Sequence, residues 1–158
     1  MVNGAAIGAG LDLACMCDIR IASDSAKFGE TFAKLGLVPG DGGSFFLQRV
    51  VGFAKAMELS LTADIIFAKE AIRINLVNKV VGASELLDAT TKVVNKINSN
   101  APIAIQMVKK SIIHASKNDL NSNLELLSAF QGIAQRTSDH FSGVENLLNK
   151  KKTDFVHR

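Results

Sequence analysis

The chain has 158 residues, 47% hydrophobic and 21% charged, enough for one domain with a buried core. Its net charge of +3 arises wholly after residue 100: residues 1–100 balance ten basic against ten acidic side chains, and residues 101–158 carry eight against five. So small an excess, with no Tyr or Trp and no basic stripe interleaved with aromatics, argues against nucleic acid as a partner, and no run approaches the roughly 20 apolar residues of a membrane span.

The chain opens on VNGAAIGAGLDLACMCD, residues 2–18, punctuated by Gly4, Gly8 and Gly10. This run lacks a basic leader and Asp12 interrupts it, so it is not expected to be a secretion signal. It reads as the interior of a domain, not as a frayed polar terminus. Residues 7–17 fit a helix. Cys15 and Cys17 are too close for an ordinary disulfide and lack the second pair of a zinc site; buried reduced thiols of a cytoplasmic protein are expected. Residues 18–29 alternate as a strand, turn at 23–25, and resume as a second short strand. Pro and Gly make 35–43 a loop, and 44–61 a helix broken at Gly52. A short strand, a helix over 68–74 and a strand over 77–81 follow.

After Gly82 the pattern becomes purely helical. Ser84 is expected to cap a helix ending at Asn100, with Leu86, Leu87, Thr90, Val93, Val94 and Ile97 near one face. Pro102 opens the next helix, to about 116, and further helices cover 120–136 and 140–150. Residues 1–82 thus read as an α/β core and 83–158 as a helical region. About three strands make a small sheet with edges to cover, so the helices are expected to pack on it or on a neighbouring subunit.

Chemistry concentrates at Gly8, Ala9, Gly10 and Asp12. Glycines allow a tight turn into a helix, whose first N–H groups lack intrahelical partners and suit an anion or a developing oxyanion. Asp12, three residues past Ala9, shares its helical face. Donor and carboxylate together suit polarising a carbonyl while moving a proton. The same residues also suit plain helix packing with an acid in the first turn. No third glycine completes a dinucleotide loop.

The segments VNGAAIGAGLDLACMCDIRIAS, AKFGETFAKLGLVPGDGG, RVVGFAKAMELSLTADIIFAKEAIRINLVNKVV and TSDHFSGVENLLNKKKTDF resemble, in order, the enoyl-CoA hydratase/isomerase (crotonase) family. The resemblance covers essentially the whole chain and implies an α/β, crotonase-like spiral of ββα units, N-terminally incomplete here, followed by a helical trimerisation region. It implies acyl-CoA thioester substrates, with coenzyme A entering as part of the substrate and no metal or redox cofactor. The partners it implies are further copies of the chain, as a trimer or dimer of trimers, with no nucleic acid or membrane. An enolate-like oxyanion would be held by two backbone N–H groups, one of them from Ala9 and the other from a segment preceding this sequence. Of the two glutamates that hold water in the family hydratases, the first matches Asp12 and the second matches Phe32, which cannot transfer a proton. Glu30, which would need a different backbone path, and Asp41 in the PGDGG loop are the substitute acids. Gly8, Gly10, Phe32, Pro39, Gly40 and Lys152 are the implied contacts to substrate and coenzyme A.

His114, His140 and His157 are far apart and read as surface or interface residues. Lys150, Lys151 and Lys152 suit a solvated helix end, and Phe141 and Phe155 suit packing. Ser44 has no base partner, which excludes a serine hydrolase. Enoyl-CoA hydration or isomerisation is the leading expectation; the alternative is a truncated, non-catalytic remnant or an oligomerising module.

Overall fold

The computed structural model describes residues 1–156. His157 lies outside the described residues. The chain divides into two compact units, Met1–Thr91 and a second beginning at Lys92.

The first unit carries five short strands: β1 (Ala5–Ile7), β2 (Ile21–Ser23), β3 (Lys27–Gly29), β4 (Ile65–Phe67) and β5 (Lys79–Val81). They form two sheets, not one. In the first, β3 is central, parallel to β1 with Ala6 opposite Phe28, and antiparallel to β4 with Phe28 opposite Ile66. In the second, β2 runs parallel to β5 with Ala22 opposite Val80. The expected turn at 23–25 therefore hands the chain from one sheet to the other. Its hydroxyls hold that corner, with Ser23 Oγ 2.8 Å from Ser25 Oγ and accepting the Ser25 N–H at 3.2 Å.

Helix α1 (Ala9–Met16) follows β1; α2 (Gly43–Val51) and α3 (Phe53–Thr62) are separated at Gly52, whose φ of 83° is left-handed; α4 (Ala68–Arg73) precedes β5. Leu11 and Cys15 of α1, Phe28 of β3, Leu47 of α2, Ala56 and Leu59 of α3, and Ala71 of α4 meet in one core with Leu76. Arg20, buried past the end of α1, ties this core together. Its Nε donates to the Leu76 carbonyl at 2.6 Å, its NH1 donates to the Cys17 carbonyl, and its backbone N–H donates to Asn78 Oδ1 at 2.7 Å. A guanidinium over the last carbonyls of a helix also complements the helix dipole.

Three local expectations are corrected. Ile7, expected to open the helix, instead ends strand β1, because pairing with β3 outweighs local preference, and the helix begins at Ala9. Ser84 is no cap but lies inside a 3-10 turn, Ala83–Glu85, that feeds α5 (Leu86–Asn98). Cys17 is exposed; only Cys15 is buried.

The second unit is helical. The division falls inside α5, and α6 (Pro102–Ala115), α7 (Leu120–Ala134) and α8 (Ser138–Leu148) follow. Pro102 occupies the first turn of α6. Asp119 caps α7 by accepting the Ser122 N–H at 2.9 Å, and Thr137 caps α8 by accepting the His140 N–H at 3.1 Å. Asp139 is buried and accepts the Val156 N–H at 2.7 Å, while Phe155 packs on Gly143. Phe141, expected to pack, is exposed beside His140, and Leu87, Val94 and Ile97 of the α5 stripe are exposed. Among the described residues no helix is long and apolar enough to cross a membrane.

Candidate active site

Gly8 makes the turn between β1 and α1. Its φ of 56° and ψ of −124° lie where side chains are strained. Its N–H donates to the Gly29 carbonyl at 2.8 Å, and its own carbonyl accepts from Leu11 N–H at 2.8 Å and Asp12 N–H at 3.1 Å. The turn is thus pinned to β3 on one side and starts α1 on the other. Ala9 and Gly10, the first residues of that helix, have no carbonyl one turn earlier within α1 for their N–H groups to bond, and both are exposed. The positive end of α1 therefore offers the Ala9 N–H to solvent.

Asp12 sits on the same helix, fully buried at 0% exposure. Glu30 is 1% exposed and directly follows β3. The parallel register that sets Ile7 beside Gly29 carries Glu30 to the β1–α1 turn, where it faces Asp12. Gly43, the first residue of α2, forms the wall of this space. A Cβ on it would lie 2.7 Å from Glu30 Oε1 and closer still to Asp12 Oδ1. Only glycine fits there, and Gly42, with φ of 97°, lets α2 begin at that point. Sequence reasoning missed Gly43; the Gly-Gly pair before an amphipathic helical run was its signal.

None of the four carboxyl oxygens has a hydrogen-bond donor placed on it. Burial, foremost, pushes both groups above the usual carboxylate range. Glu30 is raised to about 7, with the negative charge of Asp12 adding to the effect of burial. Asp12 is raised by burial and, more weakly, by the charge of Asp41; the facing Glu30 carboxyl and the nearby Gly43 N–H pull the other way. That amide favours the charged form of Asp12 without reaching hydrogen-bond geometry.

The other expected residues are placed as follows. Phe32 opens a 3-10 turn, Phe32–Leu35, and is half-buried, its ring 3.7 Å from where a methyl on Gly8 would stand. Pro39 is half-buried and Gly40 and Asp41 are exposed in the following loop. Lys152 belongs to the second unit, its Nζ 3.9 Å from Asp154. The Cys15 thiol is pushed up to about 11 by burial, which leaves it a packing group. Among the described residues no three His, Cys, Asp or Glu side chains cluster to hold a metal ion. The geometry thus joins Ala9, Asp12 and Glu30 around one turn: a free N–H donor, and behind it two carboxyls poised to exchange a proton.

The sequence matches the family profile described as enoyl-CoA hydratase/isomerase over residues 1–158. It is 42% identical over 153 residues to the short-chain-enoyl-CoA hydratase of Clostridium acetobutylicum, covering 97% of this chain and 59% of that protein. It is also 42% identical over 143 residues to a short-chain-enoyl-CoA hydratase of Clostridioides difficile, covering 90% of this chain and 92% of that sequence. The crystal structure of an enoyl-CoA hydratase from Bacillus anthracis superposes with a TM-score of 0.94 at 32% identity, over 98% of this chain and 60% of that one. The chain therefore spans about three fifths of the length of the Clostridium acetobutylicum and Bacillus anthracis proteins.

Proposed function

The chain belongs to the enoyl-CoA hydratase/isomerase family and has its crotonase-like α/β fold, and we propose that it acts on enoyl-CoA thioesters through an oxyanion-stabilised enolate. The reaction is addition of water across the double bond or movement of that bond. One observation carries this reading: the helix that offers the free Ala9 N–H also holds buried Asp12 one turn further on. The thioester oxygen accepts from Ala9 N–H as it gains charge, a contact of the kind whose loss costs about 2.7–4 kcal/mol of transition-state stabilisation. In hydration, Asp12 takes a proton from water as the water oxygen bonds the β-carbon, then returns it to the α-carbon. In isomerisation it moves a proton between two carbons. Neither path consumes a metal or redox cofactor, and coenzyme A leaves as it entered, on the acyl group. Gly8 and Gly10 let the thioester approach the turn; Phe32, Pro39 and Gly40 line its approach, and Asp41 adds negative charge beside Asp12. Lys152, in the second unit, is a phosphate contact to the coenzyme A held by a neighbouring copy.

Free Cys15 and Cys17 suit a reducing cytoplasm, and the chemistry suits breakdown of acyl groups. Exposed apolar side chains along α7 and α8, Leu120, Leu124, Leu147 and Leu148 among them, support assembly of copies as a trimer or dimer of trimers. Those same side chains favour a second reading, a non-catalytic assembly module.

Loss of enoyl-CoA absorbance with crotonyl-CoA tests the activity. Asp12→Ala is expected to lower turnover by about 10²–10⁴-fold, the contribution of general acid–base catalysis, while thioester binding persists. Unchanged turnover in that variant overturns the assignment. A stable oligomer in light scattering that never depletes an enoyl-CoA establishes the assembly reading in its place.

A further inference from the structure

Asp12 and Glu30 present four buried carboxyl oxygens and no hydrogen-bond donor among the described residues to meet them. Two ionised carboxylates in such a space would repel one another and lose their hydration with nothing in return. One proton between them removes a charge and supplies a charge-assisted O–H···O⁻ bond. We propose that Glu30 is a positioning residue that shares a single proton with Asp12 and holds Asp12 as the charged member of the pair.

The surroundings choose which acid keeps the charge. From α2, the Gly43 N–H faces Asp12 and favours its anion. From the loop before α2, Asp41 adds negative charge near Asp12, a smaller effect than that of Gly43. On α1, Cys15 lies near both acids and stays a neutral thiol. Arg20, which favours charge on Cys15, has its guanidinium committed to the Leu76 and Cys17 carbonyls. Glu30 has no amide in its favour, and both its burial and the charge of Asp12 keep its proton on. Gly43 completes the device, because any side chain there would wedge the two carboxyls apart. Glu30 faces Asp12, and it is Asp12 that shares its helix with the Ala9 N–H, so Glu30 acts through Asp12 and not on the substrate. In this way the chain keeps a second acid at its proton-handling centre although Phe32 stands where the resemblance puts one. The consequence for turnover rests on the acyl-CoA reading above; the shared proton does not.

The test is infrared titration of the full chain, following the protonated-carboxyl band without substrate, in the wild type, Glu30→Gln and Asp12→Asn. The wild type is expected to keep one protonated carboxyl into the neutral range. Glu30→Gln should abolish that band while preserving shape, and Asp12→Asn should move it to lower pH, since the partner charge is gone. A wild type with both carboxyls ionised at pH 6, or an Asp12→Asn band that does not move, overturns the proposal. With crotonyl-CoA, Glu30→Gln should lose the neutral-range inflection of the turnover profile at unchanged KM, and Glu30→Ala should lower kcat further. Equal kcat and pH profile in all three proteins overturns the positioning role. A chain that keeps the shared proton but turns over no enoyl-CoA overturns the activity and supports the pair.

Discussion

The two units of this chain solve the same problem, burying apolar side chains, to different extents. Every fully buried apolar residue among those described lies between Ala6 and Ala89. Beyond Ala89 the buried residues among those described are polar, Ser111 and Asp139, and α7 has none at all. In the first unit, sheets give each helix a surface on which to lay its stripe. In the second, caps and helix propensity set the helix ends, while Leu120, Leu124 and Leu147 remain in solvent. Local signals are enough to make a helix; a core needs partners contributed from distant parts of the sequence.

Truncating the centre of the first core gives the largest expected effect. Phe28 is fully buried on the central strand, so Phe28→Ala should cost about 3–5 kcal/mol, read as a lower urea midpoint for the first unit. A cost near zero would show that the first unit is not held by this core. Next is Gly43→Ala. Its methyl enters the space of Asp12 and Glu30, an overpacking expected to cost about 1–3 kcal/mol. Turnover should fall with it, because the displaced group is Asp12; full activity in this variant would show that the space beside the carboxyls is not needed.

These two positions also show what the sequence made legible. The break at Gly52, the helices after Gly82 and the turn of Gly8 into the helix of Asp12 follow from local chemistry: glycine freedom, Pro and polar caps, apolar spacing. The first strand did not, because Ala-Ala-Ile has no strand signature until β3 pairs with it. Glu30 was legible as a candidate substitute acid, but its place beside Asp12 was not, since that depends on the register of β1 against β3. Gly43 was hidden among the glycines of the PGDGG loop. What escaped the sequence in each case is a long-range pairing.

The buried pair distinguishes the two units again when pH changes. Glu30 titrates near 7 in the fold against an ordinary 4.5, so the folded chain holds a proton that the unfolded chain has released. Its contribution to stability is fully present below about pH 4.5 and is lost as pH rises through about 7; raised Asp12 acts in the same direction. Each such proton changes stability by at most about 1.4 kcal/mol per pH unit. Thermal unfolding of the first unit should therefore move to lower temperature between pH 5 and pH 8, and Glu30→Gln should flatten that dependence. Identical slopes in the two proteins would mean that Glu30 has no altered titration.

The smallest expected effect tests the second unit most sharply. Leu124, in the middle of α7, is 52% exposed, and a surface substitution such as Leu124→Ser should change the stability of a single chain by no more than about 0.5 kcal/mol. That figure assumes that nothing covers α7. If copies assemble through the helices, the side chain is buried in the assembly, and its loss carries the cost of a core truncation, about 2–5 kcal/mol for a large apolar residue. The two cases separate by dilution. In the first, the unfolding midpoint is independent of protein concentration and the variant matches the wild type. In the second, the wild-type midpoint rises with concentration, as mass action requires, and the variant loses both the rise and the oligomer in light scattering. One exposed leucine thus decides whether the weakness of the second core belongs to the molecule or only to the chain taken alone.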